Sequence, residues 1–196
     1  MRTVSLLVAA AGSLAAVLLL SDAARQLFAA HMAQHLILIC VTAPLLALVW
    51  PVRSVSPLTA WCLFVPAFLF WHWPVAFQWA AGAPITGLFE LATILGTATL
   101  FWSVMLAPTA SHGAAALYVM TAAIATDLPG VIMIFAPRAI CTMPNENAAR
   151  FGLTALEDQQ MAGLLMWVPA NIVFFSFATF LFARWMREHP SSLVTP

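Results

Sequence analysis

His31-Met32-Ala33-Gln34-His35, running directly into Leu36-Ile37-Leu38-Ile39-Cys40-Val41, is the stretch on which the reading of this chain turns. An apolar run of that kind heads an α-helix that crosses a membrane, and imidazoles are costly at its start unless something uses them. Residues four apart on a helix lie about 40° apart around the axis and one turn apart along it, so His31 and His35 share a face. Gln34 lies near the same stripe, whereas Met32 points roughly 100° away. Two imidazoles one turn apart can close on one metal ion or hydrogen-bond to a neighbouring helix, and the spacing permits either.

Outward from that stretch, the chain of 196 residues is 63% hydrophobic and 7% charged, contains no lysine and has a formal net charge of zero. A soluble domain carries about a quarter charged residues, so the fold class is all-α, a polytopic transmembrane helix bundle in the lipid bilayer. Residues 1–196 read as a single integral membrane domain. The neutral balance argues against nucleic acid as a partner. Cys40 and Cys62 lie in apolar runs and read as small buried hydrophobes, while Cys141, in Cys141-Thr142-Met143-Pro144, either meets copper or is inert.

Apolar runs give six spans, at about 3–20, 27–50, 58–73, 85–106, 114–135 and 157–182. The first is either a signal peptide or a span, and is read as a retained helix. Pro44 should kink the second and free a carbonyl that another helix or a water must satisfy. The third ends in Trp71-His72-Trp73-Pro74, an aromatic cluster of the membrane-interface type, and residues 75–84 follow as a short turn or interfacial exit. Asp127-Leu128-Pro129-Gly130 places a carboxylate beside an expected helix break, where it would bond freed backbone groups. Ala162-Gly163-Leu164-Leu165 is a small-residue contact that lets helices approach closely. His112 and His189, in a turn and a tail, read as solvated. With no Gly-rich phosphate loop and no usable Ser/His/Asp set, no chemistry on a substrate is implied, and the chain does not read as an enzyme.

Arg2, Arg53, Arg184 and Arg187 fall on one side of six spans and Arg25, Arg138 and Arg150 on the other, which favours cytoplasmic termini. The alternation of spans then brings His31, His35, His72, Glu90, Asp158, Gln159, Gln160 and Met161 to one level on the outer side, with Cys141 and Met143 in a connection there. Such a set must face the bundle or a wet cavity rather than lipid. Read as a metal site, it uses His31 and His35 as ligands, with His72 and Met161 as further ligands, while Gln34, Glu90, Asp158 and Gln159 orient the imidazoles. Read otherwise, His72 is an interface residue, Glu90 partners a histidine or tryptophan N–H, and Asp158 caps the last helix. Met32, Met143 and Met166 are the other methionines near the cluster. Imidazole with thioether or thiol suits copper, above all Cu(I), whereas imidazole with carboxylate also suits zinc; copper is preferred.

Two stretches together resemble a known family. His31 to His35 with the apolar run ending at Pro44-Leu45-Leu46-Ala47-Leu48, and Asp158-Gln159-Gln160-Met161-Ala162-Gly163-Leu164-Leu165-Met166-Trp167-Val168-Pro169, are similar to the caa3-type cytochrome c oxidase assembly factors named CtaG. Phe101-Trp102 at the end of the fourth span fits the same pattern. The resemblance implies a multi-pass protein of the bacterial inner (plasma) membrane, serving the respiratory chain with cytochrome c oxidase subunits as partners. It further implies a metallochaperone that delivers copper at the outer, periplasmic face. Two rivals stay open. One is a haem b electron-transfer anchor with His35 and His72 axial to one iron, since His31 and His35 on one helix cannot lie on both faces of a haem. The other is a metal-free structural subunit that holds oxidase helices together.

Overall fold

The computed structural model describes residues 2–52, 54–106 and 111–188, so Arg53, the Pro108 turn and His189 lie outside the described residues. Its helices are α1 (Arg2–Leu19), α2 (Ser21–Ala24), α3 (Phe28–Val49), α4 (Pro57–Trp71), α5 (Pro74–Gly82), α6 (Pro84–Met105), α7 (His112–Phe135) and α8 (Ala155–Glu188), with no strand among the described residues. Pro57, Pro74 and Pro84 open α4, α5 and α6, where a missing N–H leaves nothing unpaired.

Among the described residues four helices, α3, α6, α7 and α8, are long and apolar enough to cross a membrane unaided. With 15 residues, α4 rises only about 22 Å against ~30 Å of hydrocarbon. It reaches that length only together with α5, to which it is bent by 76°. The apolar helix at the N-terminal end, Thr3–Leu19, is shorter than those four. Where the sequence reading placed a turn or interfacial exit after His72, the chain instead forms the nine-residue α5, started by Pro74.

Pro44 shapes α3 as expected, through a detour. Residues Leu38–Thr42 form a π-helical turn in which the Ala43 N–H donates to the Leu38 carbonyl, five residues back. The next carbonyl, Ile39, would then look to residue 44, which has no N–H to give. The Trp102 indole supplies it, donating from Nε1 across 2.8 Å in a buried setting. The freed carbonyl is thus met by another helix, and α3 and α6 are pinned one turn below the histidines.

The long pair α7 and α8 approaches closely at Gly130 and Gly163: a Cβ added to Gly163 would sit 2.7 Å from the Gly130 carbonyl oxygen. Contrary to the expected break, α7 runs unbroken through Pro129. Asp127 therefore does not serve freed backbone. It accepts from Asn171 Nδ2 at 3.0 Å on both carboxylate oxygens, joining α7 to α8. His112 is not merely solvated either: its Nδ1 lies 2.9 Å from Glu188 Oε2 and ties the opposite ends of the same pair. The start of α8 is fixed by a capping box, with Glu157 N donating to Thr154 Oγ1 and Thr154 N to Glu157 Oε2, at 3.2 and 2.8 Å.

Candidate metal centre

Helix α3 does what its spacing demands. His31 and His35 stack edge to face with ring centroids 4.6 Å apart, both buried at 7% and 2% exposure. Into them projects Glu90, from the second turn of α6 and fully buried at 0%. Its Oε1 lies 3.3 Å from His31 Nε2 and 3.4 Å from His35 Nε2. One potential ligand atom from each of the three residues falls within 4.8 Å of the others, which makes them a metal-sized group among the described residues.

His72, at the end of α4 where the chain bends into α5, completes the cluster from behind. Its ring stacks on Phe68 at 4.0 Å, and its Nδ1 lies 2.7 Å from the Phe68 carbonyl oxygen. A carbonyl only accepts, so the network assigns the proton of His72 to Nδ1 and leaves Nε2 as an acceptor. His35 Nδ1, 3.4 Å away, then donates to it. By the same bookkeeping a neutral His35 carries its lone pair on Nε2, aimed at the Glu90 carboxylate. An acceptor faces an acceptor.

The remaining atoms sharpen the point. His35 Nε2 and Glu90 Oε2 are buried without a hydrogen-bond partner. Leaving one such group unpaired costs about 1–3 kcal/mol, and more for a charged one. A cation held jointly by His31, His35 and Glu90 would give these atoms a partner. The donor set of two imidazoles and one carboxylate fits a borderline metal such as copper or zinc. With one nitrogen donating to Phe68 and the other accepting from His35, His72 holds the His35 ring in place. Because the His35 and His72 rings touch, with centroids 5.2 Å apart, no gap for a macrocycle separates them.

A family model for cytochrome c oxidase caa3 assembly factors matches residues 1–188. The chain belongs to that family. No curated protein and no solved structure matches it.

In this caa3 assembly factor the other polar residues singled out by the sequence hold the frame around the cluster. Asp158 sits at the start of α8 but caps α3, accepting from Phe28 N at 2.7 Å and Ala29 N at 3.0 Å. Those are first-turn amides that α3 cannot satisfy itself, three residues ahead of His31. Gln34 turns away from the histidines and donates from Nε2 to the Val17 carbonyl of α1 at 2.7 Å. Gln159 accepts from Ile140 N and Cys141 N at 2.6 and 3.0 Å and donates to the Met133 carbonyl at 3.0 Å. It thereby folds the connection after α7 over this end of the bundle. Two further bonds hold that connection down, Gln78 to the Thr142 carbonyl at 2.9 Å and Asn147 N to the Gln26 carbonyl at 3.1 Å. Met161 is 40% exposed, on the surface of α8 rather than in the buried group. Cys141 is buried in the connection, and that burial pushes its thiol up to about 11.

Sequence reasoning assigned Glu90 to a supporting position and had no means of seeing the Phe68 carbonyl. A buried glutamate two turns into an apolar helix was the available signal, since such a group is retained only beside a partner.

Proposed function

We propose that this assembly factor takes up copper at His31, His35 and Glu90, close to the outer (periplasmic) face of the bacterial plasma membrane, and holds it for transfer to cytochrome c oxidase. The observation that carries the reading is a buried group of two imidazoles and one carboxylate in which His35 Nε2 lies 3.4 Å from Glu90 Oε1, while His35 Nε2 and Glu90 Oε2 have no hydrogen-bond partner. Copper is cargo here, so the protein's task is to bind, orient and release. His31 and His35 supply nitrogen donors and Glu90 a neutralising charge. His72, backed by the Phe68 carbonyl, keeps the His35 lone pair turned toward the ion. The oxidase context selects copper over zinc, which the donor set also accommodates. The contact between the His35 and His72 rings speaks against the haem anchor.

Protein purified in detergent and loaded with Cu(II) is expected to hold one ion per chain, lost in the double variant His31→Ala/His35→Ala and much weakened in Glu90→Gln. Cells carrying the double variant should make oxidase deficient in copper. Wild-type protein that binds no copper, or a double variant that supports an oxidase of normal copper content, would overturn the reading and favour a metal-free structural role.

A further inference from the structure

On the side of His35 away from α6 lies a cavity of about 30 Å³, bounded by α3, α4, α7 and α8. A space of roughly 10–15 Å³ on that measure holds one water, so this one has room for a small bare ion. Its lining is soft. Met32, His35 and Cys40 follow one face of α3, at i, i+3 and i+8, and Met166 faces them from α8. Met32 and Met166 are buried at 1% and 8% exposure, and unlike the buried Met105, Met133 and Met143 they line this cavity. The π turn at Leu38–Thr42 carries Cys40 and adds a residue to that stretch of helix, which changes where the following side chains point.

We infer that this cavity is a second copper station, selective for the monovalent ion, in which the thioethers of Met32 and Met166 bind Cu(I) beside His35, whose own lone pair stays with the Glu90 cluster. The inference rests on the proposed copper handling and deepens it by assigning an oxidation state to each place. Thioether sulfur is a soft, uncharged ligand that favours Cu(I) and binds divalent borderline ions poorly, whereas the two imidazoles and the carboxylate around Glu90 favour Cu(II) or Zn(II). A monovalent ion also enters an apolar, low-dielectric space at lower desolvation cost than a divalent one. No electron transfer is required, because each station takes the ion in the state in which it arrives. Copper bound by Met32 and Met166 lies beside the α7 and α8 pair.

Purified protein in detergent is titrated with Cu(I) against a competing chelator, with Ag(I) as a redox-inert probe, and separately with Cu(II). Met32→Leu/Met166→Leu, which conserves volume, is expected to weaken Cu(I) and Ag(I) at least tenfold and leave Cu(II) unchanged. Glu90→Gln is expected to do the reverse. X-ray absorption on the Cu(I) form should show sulfur scattering in the wild type and none in the double methionine variant. Unchanged Cu(I) affinity in that variant, or Cu(I) bound with only nitrogen and oxygen neighbours, would overturn the second station while leaving the His31, His35 and Glu90 site standing. Wild-type protein that binds neither valence would instead overturn the copper reading itself.

Discussion

Two acidic groups set in the apolar helices of this protein, Asp127 part-buried and Glu90 fully buried, are built oppositely. Between α7 and α8, Asp127 accepts from the Asn171 amide nitrogen on both carboxylate oxygens and is reached by the Trp167 side chain as well, so its carboxylate is provided for by its neighbours. Between α3, α4 and α6, the chain from the Phe68 carbonyl through His72 to His35 ends on a lone pair that points at another acceptor. Both look alike in the sequence, as ionisable residues inside spans. What separates a structural tie from a binding site is whether the donors and acceptors balance. Asn171 Oδ1 is also left unpaired, but it is a neutral amide oxygen, for which the cost is smaller than for a charged group.

The strongest way to break that comparison is to remove the unbalanced side. His31→Ala/His35→Ala should lower copper affinity by more than the about 100-fold that loss of an orienting partner costs, as read by chelator competition. His72→Phe retains the stacking on Phe68 but removes the nitrogen that fixes the His35 tautomer. It should weaken copper about 10- to 100-fold, with an altered Cu(II) electron paramagnetic resonance spectrum that simple loss of packing would not produce. If His72→Phe binds as tightly as wild type, the relay from Phe68 has no role.

Smaller effects follow on the balanced side. Asp158→Ala strips the first-turn amides of α3 of their acceptor and should destabilise the protein by about 2 kcal/mol in thermal unfolding. Copper affinity should fall with it only as far as His31 loses its position. Asp127→Asn keeps the shape of the α7 and α8 contact and should change stability by about 1 kcal/mol or less, with copper binding untouched. A loss of copper in Asp127→Asn would erase the distinction between the two groups.

How much of this was legible beforehand depends on sequence distance. The pairing of His31 with His35 is a property of one helix and follows from spacing alone. So does the need of Pro44 for an outside donor, although not that Trp102 would be the donor or that a π turn would shift the orphan to Ile39. Asp158 reads from the sequence either as a residue orienting the imidazoles or as a cap for its own helix, but Thr154 and Glu157 already close that end, which frees Asp158 to cap a helix 130 residues away in the chain. Glu90 meets the histidines across 59 residues, and no local pattern encodes which face of α6 turns toward α3. Met161 illustrates the converse: adjacency to the motif in sequence placed it near the site, while helical rotation carries it to the surface.

The connection after α7 offers the finest comparison, because it tests whether this end of the bundle is covered. Cys141 lies there, buried, with its backbone held by Gln159, and burial raises its thiol from the ordinary value of 9.0 to about 11. The folded protein therefore prefers the protonated thiol. The stability this contributes is fully present below about pH 9 and is lost as the pH climbs toward about 11, where the thiolate forms in the folded state too. In a protein whose other cysteines, Cys40 and Cys62, are replaced by alanine, maleimide should label Cys141 slowly at neutral pH. The rate should rise steeply only as the solution becomes strongly alkaline. Gln159→Ala releases the connection from α8 and should speed neutral labelling. Fast labelling of the unaltered connection would mean that it does not fold over this end of the bundle. The histidines would then face open water, and water would supply the missing donor between His35 and Glu90.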